Sequence, residues 1–141
     1  MATTTDLGFA AALVRMSHLV QHEFADVSRE YDLTPQQAQL LCMLIDGPVG
    51  MTELSKLLHL EKSSLTGLVD RVERRGLVIR IAAPRDRRAC QIELTAQGAR
   101  LANDSHGEIT RRLDAAAEAL SQDDRQRLPV VIAQLLEQRG R

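Results

Sequence analysis

Residues 52–95 read TELSKLLHLEKSSLTGLVDRVERRGLVIRIAAPRDRRACQIELT, and this stretch decides the fold. Its first part carries apolar residues at helical spacing. Leu54, Leu57 and Leu58 form one buried face, the chain turns at His59-Leu60-Glu61, and Leu65, Leu68, Val69 and Val72 form a second. Thr52 is placed to cap the first helix, and Gly76 to close the second in a left-handed conformation. After Gly76 the period drops to two. Leu77, Ile79 and Ile81 alternate with Val78, Arg80 and Ala82. Beyond the polar run Pro84-Arg85-Asp86-Arg87-Arg88, Cys90, Ile92 and Leu94 alternate with Gln91 and Glu93. Two such runs predict a β-hairpin, and without an Asn-Gly or Asp-Gly pair its turn is expected to exceed two residues. A short helix, a turn, a second helix and a basic-tipped hairpin make a winged helix-turn-helix.

The flanks are helical. Leu13, Met16, Val20, Phe24, Val27 and Tyr31 predict a long amphipathic helix over about residues 6–31. Thr34-Pro35-Gln36-Gln37 then restarts a helix, with Thr34 as N-cap, Pro35 at the first helical position and Gln37 completing a capping box. Its run from Leu40 to Ile45 is apolar all round, which predicts burial on every side, and Asp46-Gly47-Pro48 ends it. Downstream, Thr95 is placed to cap a helix striped by Ile109, Leu113, Ala116 and Leu120. Ser121 caps a last helix with Asp123 and Asp124 in its first turn and Leu128, Val131, Ile132, Leu135 and Leu136 on one face. Residues 1–141 therefore read as one domain, mainly α with a small β-hairpin wing. The winged helix-turn-helix occupies about 33–95, and helices over 6–31 and 96–138 flank it.

Composition narrows the function. Of 141 residues, 44% are hydrophobic but 2% are aromatic, and the core must come from 21 Leu, 17 Ala, Val and Ile. Leu and Ala favour helices, which argues against a β-sandwich, a collagen-like chain or a knottin. Phe9, Phe24 and Tyr31 are too few to stack single-stranded bases. The net charge is −1, yet Lys62 to Arg88 holds 8 basic and 3 acidic residues, so that segment is +5 and the remainder −6. Segregated charge of this kind suits one polyanion-binding face on an acidic body. Cys42 and Cys90 form no CxxC and read as small hydrophobes. No basic n-region opens the chain and the apolar run Phe9–Val14 is too short to span a bilayer, so a cytoplasmic protein without a membrane partner is expected. There is no Gly-rich phosphate loop, zinc-protease helix or placed Ser-His-Asp set, so neither catalysis nor a cofactor or metal is expected.

The second helix of the motif shows Lys62, Ser63, Ser64, Thr66, Gly67, Asp70, Arg71 and Arg74 on its other face. A helix fits the major groove of double-stranded DNA, and small hydroxylated residues near its start reach base edges and phosphates. Arg85, Arg87 and Arg88 at the hairpin tip suit a phosphate backbone or a narrow minor groove, while Asp86 beside them suits orienting the wing.

The segment from Asp86-Arg87-Arg88 through Leu94-Thr95-Ala96-Gln97-Gly98 resembles the wing and following Leu-Thr-x-x-Gly of the MarR family of bacterial transcriptional regulators. Thr52-Glu53-Leu54, Leu65-Thr66, Val69-Asp70-Arg71 and Arg75-Gly76-Leu77-Val78 fit at the family's spacing, and the likeness runs from about Leu7 to Leu136. It implies a ligand-responsive repressor that binds a pseudo-palindromic operator as a homodimer. Thr52, Lys62, Ser63, Ser64, Thr66, Gly67, Arg71, Arg85, Asp86, Arg87 and Arg88 would lie at the DNA. Asp86 would hold the wing through an ion pair, and Arg88 would approach the minor groove. The first and last two helices would form the dimer. An effector pocket would lie where those helices meet the winged part, and Arg15, His18 and His22 on one face of the first helix, with Met43, would serve an anionic or phenolic molecule there. The i, i+4 pair His18 and His22, with His106 and Glu108, could alternatively hold a metal. Two positions depart from the family. Gly67 stands where a larger, often basic residue is common, which suggests a close backbone approach or a need for a small residue in packing, and Glu61 stands where Ser or Asp would cap better. The rival readings are a winged-helix protein-interaction module without DNA binding, and a zinc- or redox-responsive regulator.

Overall fold

A computed structural model describes residues 7–139, apart from the side chains of Arg87 and Arg88. In chain order the elements are α1 (Phe9–Glu30), α2 (Pro35–Met43), β1 (Val49–Gly50), α3 (Met51–Leu58), α4 (Lys62–Arg74), β2 (Val78–Ala83), β3 (Asp86–Leu94), α5 (Ala96–Ala116) and α6 (Gln122–Arg139). A 3-10 turn at Ala117–Ala119 precedes α6. The chain forms two compact units, one through Ile109 and one from Thr110 onward.

The core of the first unit is aliphatic, as a chain without Trp requires. Leu40, Leu41, Leu44, Leu54, Leu65, Leu68, Val69, Val72, Leu77, Val78, Ile92 and Ala102 form one buried cluster. The start of α2 is fixed locally. Gln37 N donates to Thr34 Oγ1 and Thr34 N donates to Gln37 Oε1, both at 3.2 Å, so the capping box forms with Pro35 inside the first turn. All four predicted apolar positions of α4 are buried. His59 ends α3 at φ 54°, and Gly76 follows α4 at φ 74°.

The sheet has three antiparallel strands in the order β1-β3-β2. Its short strand β1, unanticipated from the sequence, pairs Val49 with Ile92 and Gly50 with Gln91. That pairing moves the cap of α3. Gly50 is held extended (φ −70°, ψ 154°) and becomes the N-cap, so Thr52 falls inside the first turn. In the hairpin, Val78 pairs with Leu94 and Ala82 with Cys90, then Ala83 pairs with Asp86. The loop is thus the two residues Pro84 and Arg85, shorter than expected, and the extra length lies in β3 as a bulge over residues 87–89.

Several burial expectations change. Leu57 is 46% exposed because the core covers α3 on the side of Leu54. The end of α2 is covered on one side, leaving Cys42 half-buried and Met43 exposed. On β2 the inward residues are Val78 and Arg80, and Ile79 is exposed. Leu120 falls outside α5, in the extended residue after the 3-10 turn, and Ala116 is exposed, so the predicted stripe stops at Leu113.

Gly67 makes no close approach: a Cβ there would meet Arg71 Nη1 at 3.5 Å. The tight glycine is Gly98, where a Cβ would lie 1.9 Å from the backbone oxygen of Leu77. Thr95 joins the same corner. Its Oγ1 accepts from Gly98 N at 3.0 Å and donates to the Gly76 oxygen at 2.6 Å, while Thr95 N donates to the Leu77 oxygen at 3.0 Å. Thr95 therefore caps α5 as expected and ties it to the base of the hairpin. The Thr-x-x-Gly spacing is the chemistry of this one joint. In the second unit, Asp124 N donates to Ser121 Oγ at 3.1 Å, which caps α6.

Candidate nucleic-acid interface

The buried row Leu65, Leu68, Val69 and Val72 sets α4 on the core and turns its opposite face to solvent. Lys62, Ser63, Ser64, Thr66 and Arg71 are all exposed there, and Gly67 is half-buried. Thr66 Oγ1 donates to the Lys62 oxygen at 2.8 Å, which uses its proton and leaves the hydroxyl as an acceptor. Thr52 is exposed in the first turn of α3. A groove of about 520 Å³ brings Thr52 and Lys62 together with Gly50, Ala83, Ala89 and Gln91 at the side of the hairpin. Neither α3 nor α4 has a side-chain cap, so the N–H groups opening both helices, at the positive end of the helix dipole, make no hydrogen bond to a capping side chain. Arg85 and Asp86 are exposed at the hairpin tip. The expectation for Arg87 and Arg88 rests on side chains that lie outside the described residues, although their backbone runs in β3.

Two arginines to which the sequence assigned no contact bind specific side-chain partners. Arg80 points inward from β2 and forks across two acids of α4: Nη2 donates to Asp70 Oδ1 at 2.6 Å and Nη1 to Glu73 Oε1 at 2.5 Å. The hydrogen bond to Asp70 pushes the Arg80 pKa further up, so the guanidinium stays charged. Arg75, just past the end of α4, donates from Nη1 to Gln37 Oε1 at 3.1 Å, and its Nη2 lies 3.9 Å from Asp32 Oδ2. The side chain that caps α2 thus also anchors the end of α4. The available signal was the i, i+3 spacing of Asp70 and Glu73, which puts both acids on one flank.

The residues expected at an effector site are all exposed. Arg15, His18 and His22 are exposed on α1, His22 Nε2 lies 3.2 Å from Asp26 Oδ2, and Met43 is exposed at the end of α2. Among the described residues no group of three or more His, Cys, Asp or Glu side chains could hold a metal ion, so His18, His22, His106 and Glu108 are not brought together. Cys42 and Cys90 are free and half-buried, and burial pushes the Cys42 thiol pKa up. Among the described residues no helix is long and apolar enough to cross a membrane.

An exposed, hydroxyl- and cation-bearing helix, backed by a second helix and flanked by a three-stranded hairpin sheet, defines a winged helix-turn-helix DNA-binding domain. A family model described as MarR family matches residues 31–89. The multiple antibiotic resistance protein MarR of Escherichia coli (strain K12) is 30% identical over 129 residues, covering 82% of this chain and 90% of that protein. Among solved structures, NadR in complex with 4-hydroxyphenylacetate is 26% identical with a TM-score of 0.79, covering 96% of this chain and 97% of that one. The transcriptional repressor CouR, bound to a 23-mer DNA duplex, is 28% identical with a TM-score of 0.77, covering 92% of each chain. This chain belongs to the MarR family and is a transcriptional regulator.

Proposed function

We propose that this regulator is a cytoplasmic, homodimeric repressor that binds a pseudo-palindromic operator and leaves it when a small aromatic acid binds. The observation that carries the DNA reading is the outer face of α4. Lys62, Ser63, Ser64, Thr66 and Arg71 are exposed together on a helix whose other face is locked by four buried aliphatics. These residues read the major groove, Thr52 and the open starts of α3 and α4 take phosphates, and the hairpin from Arg85 to Arg88 follows the backbone into the minor groove. A protein-interaction module would present an apolar or acidic face at α4 instead.

Dimerisation is supported by surface that one chain leaves bare. Phe9, Leu13, Val14, Met16 and Leu19 of α1 are 39–66% exposed. In the second unit, Leu128, Val130, Val131, Ile132, Leu135 and Leu136 of α6 are 36–67% exposed, and an apolar groove of about 560 Å³ runs beside Leu120, Leu128, Ile132 and Leu136. So much apolar helix in a small chain calls for a second copy. Helices α1, α5 and α6 supply it, and residues of about 33–95 supply the DNA-binding part. Because Arg15, His18, His22 and Met43 are open on one chain, their pocket needs walls from the partner. NadR, similar over nearly the whole chain, was solved with a phenolic acid, which favours an aromatic carboxylate as the effector class here.

Capture of genomic fragments on the purified protein, followed by mobility shifts on those fragments, tests the reading. A discrete retarded complex is expected, weakened by S64A and dissociated by phenolic acids. Fragments bound no better than random DNA would refute it.

A further inference from the structure

We propose that Arg80 is a positioning residue for DNA binding: it seats α4 against the wing strand and holds Asp70 and Glu73 away from the phosphate backbone. This rests on the DNA-binding reading given above. Asp70 and Glu73 sit three apart on α4, immediately before Arg71 and Arg74, so the helix carries both signs of charge side by side. Their side chains are 42% and 39% exposed. Released from a partner, they would face the field of a polyanion brought against α4, and like charge there opposes binding. Arg80 is well placed to prevent this. Its backbone lies in β2 opposite Ile92, which is fully buried in the central strand, so the base of the side chain is fixed. Its planar head serves each acid with a separate nitrogen. Such a fork holds two carboxylates in one geometry, which a lysine ammonium on a flexible stem does not reproduce. The contact spans helix to strand, so the recognition helix and the wing approach DNA as one body.

The test measures operator affinity against salt for R80M, R80K and the triple variant R80M/D70N/E73Q, with thermal melts to verify folding. R80M is expected to bind about tenfold more weakly than the parent at low salt, with the deficit shrinking as salt rises. R80K should fall between the two. Neutralising the acids in the triple variant should recover most of the loss, because the repulsion is then removed. A role in stability alone would show in the melts and leave the salt dependence of operator binding unchanged. A folded R80M that binds like the parent, or a triple variant as weak as R80M, overturns the proposal. Should R80M not fold, R80K carries the same comparison: adding D70N and E73Q must tighten its binding, and no gain overturns the proposal. If the parent itself bound no specific DNA, the DNA-binding reading would be the one to fail.

Discussion

Replacing Gly98 by Ala should be among the most damaging single-methyl changes available in this chain. The added Cβ would sit 1.9 Å from the Leu77 oxygen and 2.8 Å from its carbonyl carbon, against a limit of 3.0 Å that Cβ atoms essentially never cross. Something must shift by more than 1 Å, and both sides are held. Leu77 is 1% exposed, its N–H donates to the Val72 oxygen at 3.0 Å, and its oxygen accepts from Thr95 N at 3.0 Å. Overpacking of this kind costs about 1–3 kcal/mol, and a displaced buried hydrogen bond adds about 1 kcal/mol. Ala in place of Gly inside a helix returns about 1 kcal/mol, so a net loss of about 1–3 kcal/mol is expected. For a chain of this size that lowers the melting temperature by roughly 4–12 °C. Gly107 is the control: it lies exposed in the same helix with nothing within 4 Å of a Cβ, so G107A should raise stability by about 1 kcal/mol. Melts followed by circular dichroism, at one protomer concentration for all variants, decide the matter. If G98A melted within about 2 °C of the parent, or if both variants moved in the same direction, the reasoning from close approach would be refuted.

Other consequences follow from the same geometry. Thr34→Ala removes the hydroxyl half of the capping box and should destabilise the fold by about 1 kcal/mol in urea titration. Arg75→Ala should weaken it by a similar amount, about 1 kcal/mol, and the two effects should not add because both act on Gln37. Arg85→Ala should lower the salt slope of operator binding by about 0.9 if one phosphate contact goes, whereas Ser64→Ala should change base preference at one position by about 1–3 kcal/mol. Cys42 should react with a thiol reagent more slowly in the folded protein than in the denatured chain. Its raised pKa also has a sign: above the ordinary thiol value the unfolded chain sheds that proton first, so stability should fall as pH rises through that range.

Elements governed by local chemistry were legible in the sequence. The capping box at Thr34 and Gln37, the four buried positions of α4, the turn at Gly76 and the hairpin all follow from short-range spacing. What escaped depends on partners distant in the chain. A two-residue strand at Val49–Gly50 has no period to detect, yet its pairing with β3 decides where α3 begins and displaces Thr52 from the cap. Leu57 and Leu54 look alike by spacing, and only the packed core separates them. For the interface, the exposed row on α4 was readable residue by residue. The roles of Arg80 and Arg75 were not, because their partners lie 7, 10 and 38 positions away. The glycine chosen from the family pattern, Gly67, has room for a side chain, while the tight one was Gly98, whose constraint comes from the carbonyl of Leu77.

The central claim is that the outer face of α4 and the wing form a DNA-binding surface used by two copies at once. Hydroxyl-radical footprinting on a captured genomic fragment, with the protein titrated across the binding range, examines it most directly. Two protected half-sites about 10–10.5 bp apart, centre to centre or in multiples of that spacing, are predicted, with the flanking minor groove protected where the wing lies. Both should fade together in a variant carrying S64A and R85A. A single unpaired footprint, or protection that this variant leaves unchanged, would contradict the account.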